Sequence, residues 1–181
     1  MARVNLVDPA SANAAVKPAF DQIKGAFGVV PNMFRAVANS PAALDSMWGS
    51  FRALGTGRIG AKLGEQIAVA IADRNGCNYC LAAHTLLGQK AGASAAEMAE
   101  AQAGRSADPR TAAALSFALK IIENRADVTV SDVQALRAAG FDDGEIVEIL
   151  AHVALNLFTN YVNVALNVAV DFPAIKLSRA A

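Results

Sequence analysis

Residues 65–84, EQIAVAIADRNGCNYCLAAH, form the stretch that decides the fold of this chain. An apolar run with helical spacing ends at Gly76, and a second run opens at Cys77. Glycine commonly follows the last residue of a helix, because it enters the left-handed backbone conformation freely. The stretch therefore predicts two helices joined by a tight turn, with a cysteine pair at the start of the second helix.

Cys77, Cys80 and His84 share one face of that second helix, because they are spaced at i, i+3 and i+7. The first turn of a helix carries unpaired N–H groups and a positive partial charge, which lower the pKa of a thiol placed there. His84 follows Cys80 by one turn and can take or share its proton. A thiolate, a second thiol within disulfide reach and a base are what thiol redox catalysis requires.

Glu65 allows two interpretations. As an acid in the first turn of a helix, it favours the helix dipole. Its face continues through Ala68 and Ala72, small residues that let another helix approach, so the carboxylate can also be partly buried. Near His84, a buried carboxylate would hold the imidazole in one tautomer and accept a proton through it. For Tyr79, between the cysteines, we expect a packing aromatic with a locally satisfied hydroxyl.

Other uses of a cysteine pair are mostly excluded by spacing. Haem attachment needs a histidine directly after the second cysteine, where this chain has Leu81. An iron–sulfur cluster needs more than the two cysteines present, and a thioredoxin fold needs a βαβ pattern. Zinc stays open, with Cys77, Cys80 and His84 as ligands and His152 or a carboxylate as the fourth. A structural role also stays open, in which the two thiols and the histidine are core residues.

The composition favours an all-helical protein. Alanine, the best helix former, supplies 41 of the 181 residues, and β-branched runs are short. Hydrophobic residues make up 54%, enough to bury a substantial core, which excludes disorder as the main state. Basic and acidic residues number 16 each, so the chain lacks the basic excess that nucleic-acid binding requires.

We predict one domain over residues 1–181, because no linker or low-complexity segment divides the chain. Prolines follow N-capping residues at positions 41 and 109, and glycines 28, 76, 92, 104 and 140 fall near helix ends. A strand-like segment, 127–130, is too short to matter. The predicted helices span residues 17–27, 31–38, 41–54, 61–75, 77–91, 94–102, 108–125, 131–139 and 143–170.

The longest uncharged segment, residues 149–170, reaches the length of a membrane span. Five polar side chains interrupt it at intervals of 4, 4, 3 and 4 residues, which places them in one stripe on a helix. Such groups would be costly in lipid, so we expect an amphipathic helix whose stripe contacts another helix or subunit rather than lining a catalytic site. The polar stripe consists of His152, Asn156, Asn160, Asn163 and Asn167.

The expected compartment is the cytoplasm, because residues 1–17 contain no apolar run of signal-peptide length. Cytoplasmic proteins rarely keep structural disulfides. A bridge between Cys77 and Cys80 would close a loop of only four residues and stabilise the fold little. A disulfide at this position would therefore serve chemistry.

At these residues the chain resembles the AhpD-like, carboxymuconolactone decarboxylase superfamily, and within it the peroxidase-related branch. The family core is a glutamate, a CxxC motif beginning twelve residues later, and a histidine four residues after the second cysteine. Glu65, Cys77, Cys80 and His84 match this spacing. The resemblance extends to VPNMF at 30–34, NSP at 39–41 and FTNY at 158–161, and so covers most of the chain.

The resemblance implies an all-α fold of packed helical hairpins, assembled as a trimer or hexamer, that reduces hydroperoxides. Carried over by position, Cys80 would be the peroxidatic thiolate and Cys77 the resolving thiol. His84 would deprotonate Cys80, and Glu65 would complete the proton relay. Some members have a histidine just before the second cysteine, where this chain has Tyr79. The chain thus departs from the family at a position that would carry a further relay group.

The expected activity is antioxidant hydroperoxide reduction through a Cys77–Cys80 disulfide. We expect no cofactor and no metal, but an external dithiol reductant, either a thiol protein or a lipoyl-type protein. Nucleic acid and membrane are not expected as partners. Two alternatives stay open: an enzyme of the decarboxylase branch, which acts on a muconolactone without needing the thiol pair, and a non-enzymatic redox-sensing oligomer.

Overall fold

Helices are the only regular elements in the computed structural model, which describes residues 2–178. They are α1 (Lys17–Phe27), α2 (Asn32–Val37), α3 (Pro41–Leu54), α4 (Ala61–Arg74), α5 (Asn78–Lys90), α6 (Ala95–Gln102), α7 (Pro109–Glu123), α8 (Val130–Ala138) and α9 (Asp143–Ala165). The all-α prediction is confirmed. The predicted helix ends agree within two residues except at the end of α9, and segment 127–130 leads into α8 without forming a strand.

Two helix starts follow from the predicted caps. The Ser40 hydroxyl accepts the backbone N–H of Ala43 at 3.3 Å, directly before the proline that opens α3. Asp108 accepts the backbone N–H of Thr111 at 2.8 Å in the same way at α7. Each cap satisfies a backbone donor that the first helical turn leaves unpaired, and each proline occupies a position whose N–H is not needed.

Helix α4 lies at the centre of the molecule and packs against α5, α6, α7 and α9. Every α4 residue from 63 to 73 is buried except Glu65. A helix can be covered on all sides only when it is apolar nearly all round, and its alanines let neighbouring helices approach closely. The fully buried Ile67 and Ile71 of α4 join Leu81 of α5 and Ile149 of α9 in one hydrophobic core.

The turn between α4 and α5 sets the position of the cysteine pair. Gly76 has a φ of 67°, in the left-handed region, and the N–H of Cys77 donates to the carbonyl of Ala72 at 2.9 Å. This is the bonding of a Schellman motif, which ends α4 at once. Cys77 then serves as the N-cap of α5, so the same residue closes one helix and starts the next.

The prediction that the last helix runs to residue 170 is wrong, because α9 ends at Ala165. Asn167 adopts a φ of 49°, and the N–H of Val168 donates to the carbonyl of Asn163 at 3.0 Å. Asparagine thus takes the left-handed position that glycine holds after α4. Asn167 of the polar stripe therefore lies beyond the helix. No helix within residues 2–178 has the length and apolarity that crossing a membrane requires.

The segment after α9 runs back across the molecule and is anchored at two places. The Asp171 carboxylate accepts the backbone N–H of Asn32, at the start of α2, at 2.8 Å. The Asp73 carboxylate, at the end of α4, accepts the backbone N–H of Ser178 and the Gln102 amide, each at 2.8 Å. The bonds of Asp171 and Ser178 attach the C-terminal segment to the start of α2 and to the end of α4.

Candidate active site

The two cysteines lie in the first turn of α5. The Cys77 sulfur accepts the backbone N–H of Cys80 at 3.2 Å, as an N-cap side chain does. Both thiols are free, and their residues are only 1% and 2% exposed. The structure places the pair at a helix N-terminus, which lowers the pKa of a thiol. It also buries the pair, which raises that pKa.

The environments of the two sulfurs differ. Burial is the main influence on Cys80, and together with the adjacent Cys77 it raises the pKa of Cys80 well above its ordinary value. For Cys77 the hydrogen bond from Cys80 is the main influence, and it lowers the pKa of Cys77 despite burial. At rest the pair therefore holds a proton on Cys80, and attack by Cys80 needs a base nearby.

His84 and Glu65 form a close pair across the α4–α5 hairpin. Nδ1 of His84 lies 2.7 Å from Oε2 of Glu65, and the two side chains are 10% and 23% exposed. Burial pushes the pKa of His84 down, but the charge and hydrogen bond of Glu65 outweigh it, and the net result is a raised pKa. Glu65 is thus the partly buried partner of an imidazole, and Nε2 of His84 is left as the acceptor for a proton.

Asn163 of α9 is a site residue that the sequence analysis did not identify. Its side-chain nitrogen donates to the Cys80 sulfur at 3.2 Å, and the residue is 3% exposed. The fully buried Thr159, one turn earlier on α9, also bonds the Cys80 thiol, and both bonds act to lower its pKa. A donor aimed at a sulfur favours the thiolate, so α9 supplies part of the chemistry of the pair.

The rest of the polar stripe serves other contacts. Asn160 accepts the Asn75 amide at 3.0 Å and joins α9 to the end of α4, as expected for an interhelical contact. The Asn156 side-chain nitrogen donates to the backbone carbonyl of His152 at 2.9 Å. Asn160 thus makes the expected interhelical contact, whereas Asn163 contacts the Cys80 sulfur. His152 and Asn156 line a cavity that Glu65 and His84 also line.

Tyr79 is a structural anchor. Its hydroxyl accepts the backbone N–H of Met33 at 3.1 Å and also bonds Asp171, and its ring meets Phe172 edge-on at 5.5 Å. Burial raises the pKa of the phenol above its ordinary value, so it stays protonated. The tyrosine within the CxxC motif thus joins α2 and the C-terminal segment to α5, as the predicted packing role requires.

A narrow apolar cavity of about 30 Å³ lies beside Cys80 and His84. Leu87 and Ala83 of α5 continue its wall, and aromatic side chains provide most of the rest. These aromatic residues are Phe27, Phe34, Phe51, Tyr79 and Phe172. The cavity brings together the Cys80 sulfur, the His84 imidazole and a surface suited to an apolar molecule.

The zinc alternative needs a fourth ligand beside the two thiols and His84. Within the described part of the chain, no group of three or more His, Cys, Asp or Glu side chains is arranged to hold a metal ion.

Packed helical hairpins with a cysteine pair at the central turn define an AhpD-like fold, and solved structures share it. A peroxidase-related protein from Silicibacter sp. TM1040 is 24% identical, with 93% of this chain and 91% of that chain covered and a TM-score of 0.82. A protein from Ralstonia eutropha JMP134, described as an alkylhydroperoxidase AhpD core, is 24% identical over 94% and 92%, with a TM-score of 0.85. A debrominase solved with 2,3,4-tribromopyrrole is 20% identical over 93% and 91%, with a TM-score of 0.80.

The family model of the carboxymuconolactone decarboxylase family matches residues 40–124, from the N-cap of α3 to the C-cap of α7. The matched segment contains Glu65, Cys77, Cys80 and His84. The resemblance to this superfamily inferred from sequence is confirmed. A comparison with curated protein sequences finds no match.

Proposed function

We propose that this protein is a thiol-dependent hydroperoxide reductase that cycles through a Cys77–Cys80 disulfide. The observation that carries the proposal is the shared cavity of Cys80 and His84, with His84 held by Glu65 at 2.7 Å. The cavity is apolar and narrow, which favours organic hydroperoxides, whose carbon chain replaces water against the aromatic wall.

In the proposed reaction His84 takes the Cys80 proton and the sulfur attacks the O–O bond of the hydroperoxide. The bond breaks, the alcohol leaves with the proton from His84, and Cys80 becomes a sulfenic acid. Cys77 then attacks the Cys80 sulfur, which forms the disulfide and releases water. An external dithiol, a thiol protein or lipoyl-type protein of a cytoplasmic compartment, gives up two electrons to restore both thiols.

Serine substitutions test these roles. Cys80→Ser is expected to abolish hydroperoxide consumption, because serine lacks the reactive sulfur. Cys77→Ser should complete one attack and then accumulate sulfenic acid on Cys80, detected as a dimedone adduct by mass spectrometry. The reverse pattern would exchange the two roles. Unchanged consumption in Cys80→Ser would overturn the proposal.

The same assays separate the alternative functions. A decarboxylase that does not need the thiols would keep its activity in the Cys77/Cys80 double serine variant. A redox sensor would oxidise once per chain and would not turn over with a dithiol.

The aromatic cavity and the debrominase neighbour together favour reductive dehalogenation of an aromatic ring as a second candidate. Halide release that requires both thiols, from a brominated pyrrole, would support it.

We also propose that the protein is a homo-oligomer. Helix α9 exposes a row of large apolar side chains, and such rows normally meet another surface. The row contains Val147, Leu150, Phe158, Tyr161 and Val164.

A further inference from the structure

A second cavity, of about 100 Å³, also borders the Glu65–His84 pair. It is lined by the end of α3 and its connection to α4, and by α4, α5 and α9. Glu65, His84, His152 and Asn156 all line it. The chain has two histidines in all, and both face this one cavity.

Two polar atoms in the wall are buried and receive no hydrogen bond from any residue in the range 2–178. They are Nε2 of His152 and Oδ1 of Asn156. Buried polar atoms are almost always satisfied, and a cavity of about 100 Å³ with four polar side chains in a mostly apolar wall has room for water. Water in this cavity would lie beside the side chains of Glu65, His84 and His152, which all line it.

The ring of His152 reaches this position because Gly64 has no side chain. A Cβ atom at Gly64 would lie 3.0 Å from Cε1 of His152, closer than such contacts normally come. The imidazole therefore packs on the backbone of α4, one residue before Glu65.

The charged groups around His152 come from three elements. Glu65 of α4 and Glu148 of α9 act to raise its pKa, and His84 of α5 acts to lower it. Glu148 is itself held by the backbone N–H groups of Arg58 and Ile59, at 2.6 and 3.1 Å. Burial is the largest influence and lowers the pKa of His152, so its ring is neutral near pH 7 and free to accept a proton.

The proposed thiol cycle needs a proton from outside. A dithiol reacts as a thiolate that has left one proton in solvent. Its reaction with the disulfide gives the oxidised reductant and two cysteine thiols, and this requires one further proton. Each cycle therefore draws one proton from solvent into a buried site. The aromatic cavity beside Cys80 offers that proton no polar path.

We propose that water held in the second cavity, with His152 as its titrating side chain, carries protons between solvent and the Glu65–His84 pair. His152 acts through that pair and not on the sulfur, which makes it a positioning residue. The inference rests on the proposed disulfide cycle but not on the identity of the oxidising substrate.

The test follows reduction alone. The Cys77–Cys80 disulfide is formed with a diamide oxidant, and its reduction by dithiothreitol is timed across pH in wild type, His152→Ala and His152→Gln. Both variants are expected to reduce about tenfold more slowly, a modest loss for an acid–base group. Added imidazole should restore the rate in His152→Ala, which has room for it, and not in His152→Gln.

Unchanged reduction rates in both variants would overturn the inference. A wild-type reduction rate in His152→Gln alone would also overturn it, because glutamine keeps a hydrogen bond but binds no proton. Gly64→Ala serves where a His152 variant fails to fold, because it displaces the ring by only a few tenths of an ångström and should give a smaller slowing. The experiment uses no hydroperoxide, so failure of the peroxidase proposal and failure of this one are seen separately.

Discussion

The hydrogen bond from Asn163 to the Cys80 sulfur is the contact most directly tied to reactivity. Asn163→Leu keeps the size of the side chain and removes the donor. Because a hydrogen bond to a charged group contributes about 1.5–3 kcal/mol, the Cys80 thiolate should form at least tenfold less readily. The expected result is a slower alkylation of Cys80 at neutral pH, measured with iodoacetamide in a Cys77→Ser background.

Asn78→Leu is the matched control. It makes the same replacement at a solvent-exposed position in the first turn of α5, the turn that also contains Cys80. Its alkylation rate should stay near that of the parent. Equal slowing in both variants would mean that the donor from Asn163 does not set the ionisation of Cys80.

Glu65 controls the pH at which His84 can act as a base. A raised His84 pKa keeps the imidazole protonated to higher pH, so the rate of thiol oxidation should rise as pH passes above the ordinary histidine value of about 6.5. Glu65→Gln removes the charge, and the rise should move to lower pH with a smaller maximum, because the base becomes weaker. Steady-state rates between pH 5 and 9, about 1.5 units or more on either side of that value, check this expectation.

Glu65→Gln should also change the stability of the folded protein, because Glu65 raises the pKa of His84 in the folded state. A group whose pKa is raised by folding stabilises the folded state below its unfolded pKa, and this stabilisation is lost as pH rises through the folded pKa. Glu65→Gln should therefore lower the free energy of unfolding more at pH 6 than at pH 9, as measured by urea denaturation. An equal loss at both values would contradict the pairing.

Among the elements, the α4–α5 turn depends most on one residue. Gly76 has a φ of 67°, where an L side chain costs about 1–2 kcal/mol. Gly76→Ala should lower the free energy of unfolding by about that amount and disturb the N-cap that Cys77 provides. Gly25→Ala is the control, because Gly25 lies within α1 with nothing within 4 Å of its Cβ position, and alanine there should stabilise the helix. Urea denaturation of both variants gives the comparison.

How far the elements follow from sequence depends on which residue ends each helix. Ser40, Asp108 and Gly76 carry strong local signals, and the structure places each as predicted. The end of α9 was missed because Asn167 supplies the left-handed residue, and asparagine is common in many other settings. A local pattern predicts a helix end only when its residue type has few other uses.

The candidate site also contains one contact that the sequence predicts and one that it does not. Glu65 and His84 meet because two antiparallel helices joined by a tight turn must pack against each other, so their contact follows from the hairpin. The contact between Asn163 and Cys80 joins residues 83 positions apart. It depends on how α9 crosses the hairpin, which the spacing of the polar stripe does not specify.

On the scale of the whole molecule, His84 and Phe51 line both cavities. The cavity beside Cys80 is apolar, and the cavity beside His152 contains ionisable groups. In the proposed reaction, the apolar substrate would reach His84 through the first cavity and protons would reach it through the second.

The exposed apolar row of α9 bears on assembly. Val147 and Tyr161 are 63% and 61% exposed, and contiguous exposed apolar patches often mark a surface that contacts another protein. Burial of the row between copies would make the native mass a multiple of 18.7 kDa, measured by light scattering after size exclusion. The double variant Val147→Glu with Tyr161→Glu should then become monomeric, because burying the new charges without partners is costly. Val130→Glu places the same charge at a 73% exposed site on α8 and should leave the mass unchanged. A wild-type mass of one chain, or dissociation by Val130→Glu as well, would show that α9 is not the interface.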